Sequence, residues 1–183
     1  MKLEKKTLLQ TVKEHDIEII GGAWEEAMSL IEQNPFSERI GFLLNHQEIA
    51  TTPVKNMENI ISIPNCIGTA FFVAGVGTLA YPYRAYDFEL NPHMVQAEGS
   101  KSIDMFRQHH ERRIPGAFIF SYSAGQDDWH AGIYVGKIAD EHISFAQHGH
   151  GGPFCLETVA RNYCRPDYYI PSTLLKNQTL QML

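Results

Sequence analysis

Cys66 and His130 are the residues of this chain best suited to covalent chemistry, provided the fold unites two side chains 64 positions apart. Cys66 lies in Pro64-Asn65-Cys66-Ile67-Gly68-Thr69-Ala70-Phe71-Phe72-Val73-Ala74, a short turn that opens into an apolar segment. If that segment is helical, the thiol sits at the helix N-terminus, where the partial positive charge favours a thiolate. A thiolate is the nucleophilic form of cysteine. The stretch Asp127-Asp128-Trp129-His130-Ala131-Gly132-Ile133-Tyr134-Val135-Gly136 puts an imidazole at the start of a strand-like run, directly after a polar turn. A neutral imidazole within hydrogen-bond reach takes the thiol proton. A third polar group should then orient the ring and stabilise the imidazolium.

A hairpin folded around Lys137 to Asp140 brings Phe145 to His148 beside His130. Phe145 cannot orient an imidazole. Gln147 shares the face of His130 by the two-residue alternation of a strand, so it is the expected third residue. His148 is the competing choice, and it needs a bulge or an early strand end to point the same way.

The remaining candidates read more simply as structure. His148 and His150, with His142 nearby, lack the spacing of a zinc signature, and the glycines around them imply a polar loop. Gly149 to Gly152 lacks the lysine of a phosphate loop. Neither a metal nor an organic cofactor is therefore expected. Trp129 reads as a packing anchor, and His109-His110 as exposed. Cys66, Cys155 and Cys164 are an odd number without a metal-finger pattern, and Cys155 and Cys164 read as two buried thiols rather than a disulfide pair.

These groups must be held by flanking elements. The spacing of Leu3, Leu8, Leu9 and Val12 predicts a short helix to about His15, with a brief strand or a continuation at Ile17 to Ile20. Ala23 to Gln33 reads as a second helix, stopped by Asn34-Pro35. Arg39 to His46 is an apolar stretch, helix or strand, and Thr51 to Asn65 reads as a loop. The helix opened by Cys66 is expected to end near Gly75. Tyr81 to Gly99 reads as a long loop that either lines a cleft or forms a satellite core. Ser102 to Arg112 reads as a helix. Ala117 to Tyr122, His130 to Gly136 and His142 to Gln147 are rich in β-branched and aromatic residues, and predict an antiparallel meander. Helices first, then a nucleophile helix, then an antiparallel sheet define an α+β arrangement.

Composition sets the outer bounds. The 183 residues suffice for one domain with a real core. Apolar residues make up 44% and charged residues 20%, an ordinary globular balance. A net charge of −6 gives no electrostatic footprint for nucleic acid. The one basic cluster, Arg107 to Arg113, reads as a solvated face. No run is long and apolar enough for a membrane span or a signal peptide, so a cytoplasmic protein that does not engage membranes is expected.

Three segments together carry a family resemblance. Asn65-Cys66-Ile67-Gly68-Thr69-Ala70-Phe71 resembles the Asp-Cys-Ser-Gly-hydrophobic segment of the NlpC/P60 cysteine hydrolases. Ile114-Pro115-Gly116-Ala117-Phe118-Ile119-Phe120 resembles their Pro-Gly-Asp-Leu-hydrophobic strand. His130-Ala131-Gly132-Ile133-Tyr134-Val135-Gly136 is similar to their His-Val-Gly-Ile-Tyr-hydrophobic-Gly strand, and the chain order agrees. The resemblance covers about Ile63 to Gln147. It implies a papain-like core, the whole chain being one such domain with a helical extension over about residues 1–60. It implies Cys66 as nucleophile, His130 as general base, and a polar His, Asn or Gln in the third position. It also implies an amide-cleaving peptidase acting on peptide or peptidoglycan fragments, with acyl transfer or deamidation as the alternative. The chain departs from the pattern at Asn65 (for Asp), Ile67 (for Ser) and Ala117 (for Asp), and Phe145 aligns with the third polar residue. These departures leave room for a binding module that kept the fold and lost the activity.

Overall fold

A computed structural model describes residues 23–55, 61–75, 77, 79, 106–108, 113–123, 128–171 and 173–174. The expected helix to His15, the Ile17 to Ile20 segment, the Tyr81 to Gly99 loop and His109-His110 lie outside them.

Two helices, α1 (Ala23–Gln33) and α2 (Ser37–Asn45), open the described chain. Ala27 and Ile31 of α1, and Ile40, Leu43 and Leu44 of α2, are buried at helical spacing in the main core. The break between the helices is built by Asn34. Its Oδ1 accepts from the Phe36 N–H at 3.0 Å, and its Nδ2 donates to the Tyr134 carbonyl at 3.1 Å. The stretch left open between helix and strand is thus helical. A 3₁₀ turn (Gln47–Thr51) follows, then a small ribbon of β1 (Val54–Lys55) and β2 (Ile61–Ser62) within the segment expected to be loop.

The helix α3 (Cys66–Ala74) is apolar on every side and buried except at Phe72. Asn65 caps its start, accepting from the Gly68 N–H at 2.8 Å. Gly75 ends it in the left-handed conformation, φ 77°. Its last carbonyls are satisfied from outside. Arg39 Nη1 donates to the Phe72 carbonyl at 2.8 Å, and Thr173 Oγ1 to that of Ala74 at 2.7 Å.

Helix α3 packs on a six-stranded antiparallel sheet formed by β3 (Phe106–Gln108), β4 (Phe118–Ser123), β5 (Asp128–Ile138), β6 (Glu141–Gln147), β7 (Phe154–Thr158) and β8 (Asp167–Pro171). The order is β3-β8-β4-β5-β6-β7, so β4 to β7 form the meander and β8 returns to the far side of β4. A short helix, α4 (Val159–Asn162), joins β7 to β8. The α+β class and its antiparallel meander stand. The expected helix over Ser102 to Arg112 does not: Phe106, Arg107 and Gln108 are a strand paired with Pro171, Ile170 and Tyr169. A free edge on β8 offers backbone partners that local helical spacing cannot foresee.

One irregularity decides the site. The β5–β6 hairpin turns tightly at Ala139-Asp140, with Ile138 opposite Glu141, but its register shifts between Tyr134 and Gly136. This bulge inserts one residue into β5. Below it, Gly132 pairs with Ala146. Ala131 and Gln147 therefore project from one face, and His130 from the other.

Candidate active site

Cys66 arrives at the site because α3 starts there. The Asn65 cap and the buried apolar body of the helix set its position, and Cys66 is 3% exposed. His130 comes from the first part of β5 and keeps 12% side-chain exposure. The thiol of Cys66 lies close enough to the imidazole of His130 to help hold a proton on the ring. The fold thus brings together the two residues that the sequence singled out.

The group on the other side of the ring is Glu157. His130 Nε2 donates to Glu157 Oε1 at 2.5 Å. Glu157 belongs to β7, opposite Ser144, and is 2% exposed. Ser144 Oγ donates to the same Oε1 at 3.4 Å. Burial by itself opposes charge on both partners. It is outweighed by their mutual attraction, by the hydrogen bond between them and, on His130, by the neighbouring Cys66. The imidazole is held well above the usual histidine range, and the carboxyl well below the usual carboxylate range. Glu157 is the residue that sequence reasoning missed. Its signal was available: a lone charge in the apolar run Phe154-Cys155-Leu156-Glu157-Thr158-Val159 has to be buried with a partner.

Tyr163, just beyond α4, completes the surroundings. Its ring lies 4.8 Å from that of His130, and its hydroxyl faces Ser144 and Glu157. Burial first, and the Glu157 charge next, push that hydroxyl well above its ordinary range, so it stays protonated. Room for it exists because position 132 is glycine. A Cβ there would run into the Tyr163 hydroxyl and lie 2.8 Å from the Phe145 carbonyl oxygen. The Gly in His130-Ala131-Gly132 therefore has a packing reason two residues from the imidazole.

Gln147 has a different job from the one expected. Fully buried, its Oε1 accepts from Thr69 Oγ1 at 2.8 Å, and its Nε2 donates to the Gly152 carbonyl at 2.8 Å and the Ala50 carbonyl at 3.3 Å. It ties α3 to the turn after β6, and the bulge in β5 aims it away from His130. His148 lies on the His130 side, with ring centroids 6.1 Å apart and its Nδ1 3.6 Å from Glu157 Oε2. His142 is engaged elsewhere, with Arg113 at 2.5 Å and the Tyr134 hydroxyl at 2.8 Å. The metal-ligand atoms that converge among the described residues are those of His130, His148 and Glu157.

The departures from the family pattern have local explanations. Asn65 caps the helix as an aspartate would. Ala117 is fully buried, and Phe145 packs against Phe154 with centroids 6.4 Å apart. Of the two other thiols, Cys155 is buried and pushed well above its ordinary range, first by burial and then by the Glu157 charge. Cys164 is exposed, contrary to the expected burial, because it follows α4 into an open turn.

No protein-family model matches the chain, and neither a curated protein nor a solved structure matches it. No helix among the described residues is long and apolar enough to cross a membrane.

Proposed function

We propose that this chain is a cysteine hydrolase of the papain-like, NlpC/P60 type that cleaves an amide bond in peptide or peptidoglycan fragments. The observation that carries this reading is the cluster of Cys66, His130 and Glu157, a thiol beside an imidazole that is hydrogen-bonded to a buried carboxylate. In this reading the proton shared by Cys66 and His130 rests on the ring, and the sulfur attacks the carbonyl carbon. Glu157 holds the ring and compensates the imidazolium charge. The oxyanion faces the start of α3. There the Gly68 and Thr69 N–H groups already bond to Asn65, which leaves those of Cys66 and Ile67 as donors. As the C–N bond breaks, the amine takes the proton from His130. Water then hydrolyses the thioester, with His130 again as base.

Glu157 supports activity over a silent binding module. It supplies the third polar group that Phe145 lacks, and a buried carboxylate without such a partner would be costly. Mass spectrometry of the chain mixed with short peptides and peptidoglycan stem fragments tests the proposal. The expected result is an acyl adduct on Cys66 together with released amine, both absent in Cys66→Ser. Added amine acceptors separate hydrolysis from acyl transfer by the product formed. No adduct and no turnover across the panel, with Cys66 no more reactive than an ordinary buried thiol, would reject it.

A further inference from the structure

One atom of the site is left over by the hydrolytic reading. Glu157 Oε2 is buried and accepts no hydrogen bond among the described residues. A buried acceptor without a donor is costly and calls for an explanation. His148 Nδ1 stands 3.6 Å away, too far for a good hydrogen bond. One ligand atom from each of His130, His148 and Glu157 lies within 4.8 Å of the other two. Two imidazoles and a carboxylate form a donor set suited to zinc, at about 2.0–2.2 Å from each ligand, which corresponds to ligand–ligand edges of about 3.3 Å in a tetrahedral site. Separations of 3.6 Å and less than 4.8 Å need only a modest approach. His148 can supply it, since its side chain is 56% exposed and Gly149 follows it in the left-handed conformation, φ 70°. The same exposure gives an ion its way in and leaves the fourth position to water.

We propose that His130, His148 and Glu157 form a zinc site that switches off the Cys66–His130 pair. Zinc on Nε2 replaces the proton held there, which leaves to solvent. Glu157 then ligates the metal in place of that proton. With Nε2 on the metal and Glu157 engaged by it, the ring no longer serves as the proton carrier for Cys66. Cys66 is not among the converging ligand residues. This inference stands independently of the amide-cleaving proposal, since it concerns metal binding to three side chains.

Zinc binding is to be measured by competition with a chromophoric chelator, using the whole chain in a Cys164→Ser background. One zinc per chain is expected. Cys66→Ser should leave the affinity within about twofold, whereas His148→Ala should weaken it by about tenfold or more. Saturating zinc should slow alkylation of Cys66 by about tenfold or more, and a chelator should restore it. His148 is exposed, so its variant is expected to fold. Loss of binding in Cys66→Ser would locate the zinc on the thiol and overturn the assignment. So would undiminished affinity in His148→Ala, or the absence of any binding to the parent chain.

Discussion

Glu157 Oε1 lies 2.5 Å from His130 Nε2 although their strands, β7 and β5, are separated by β6. The contact spans the middle strand because small side chains leave the space open. Gly132 and Ala146 face each other there, and Ser144 joins from the row beyond. The charge on this carboxylate is what holds a proton on His130 against burial.

Glu157→Gln keeps the shape and removes that charge. The alkylation rate of Cys66 is expected to fall by about 10²- to 10⁴-fold. Its alkaline limb should move to lower pH, because the ring gives up its proton more easily. Stability follows the same pair. His130 is raised in the folded state, so its contribution is complete below its ordinary 6.5 and is lost as pH rises through the folded value. Glu157 is lowered, so its contribution is complete above 4.5 and is lost as pH falls through the folded value. Urea unfolding of the parent should thus show a stability plateau between those ordinary values and a decline on both sides, which Glu157→Gln flattens. An unchanged pH profile in the variant would remove Glu157 from the site.

Gln147→Ala tests the other face of the sheet. It leaves the Thr69 hydroxyl and the Gly152 and Ala50 carbonyls without their buried partner. A loss of about 1–3 kcal/mol in denaturant unfolding is expected. The pH position of Cys66 alkylation should stay where it is in the parent, since Gln147 anchors the helix and does not touch the imidazole. A shifted limb would restore Gln147 to the role the sequence suggested.

Gly132→Ala forces a methyl group against the Tyr163 hydroxyl and the Phe145 carbonyl. Overpacking of this kind costs about 1–3 kcal/mol. Tyr163→Phe removes the first collision, so the double variant should recover part of that loss. Additive losses in the cycle would show that the two positions are not in contact.

The three thiols should separate by site-resolved mass spectrometry. Exposed Cys164 is expected to alkylate at the rate of an ordinary surface thiol, whatever stands at position 130. Buried Cys155 should resist. Cys66 should react, and should slow by about tenfold or more in His130→Ala. Equal slowing of Cys164 and Cys66 would point to a general unfolding of the chain rather than to a dyad.

Local pattern was enough for the elements that carry the thiol and the imidazole. A glycine stop, a polar cap and an apolar run describe the Cys66 helix. Alternation with β-branched residues marks β4, β5 and β6. It was not enough for β3, whose three residues acquire strand geometry from β8 some sixty positions away. The reading of Gln147 failed for a sharper reason. Strand alternation was applied correctly, but a one-residue bulge between Tyr134 and Gly136 reverses every side chain beyond it.

The amino-acid order alone determined that a helix begins at Cys66 and that a strand carries His130, because caps and periodicity are local properties. Which carboxylate meets the imidazole, and which face Gln147 occupies, were decided only in three dimensions. Strand register and the pairing of β7 with β6 come from backbone partners distant in the chain, and no short stretch of sequence encodes them.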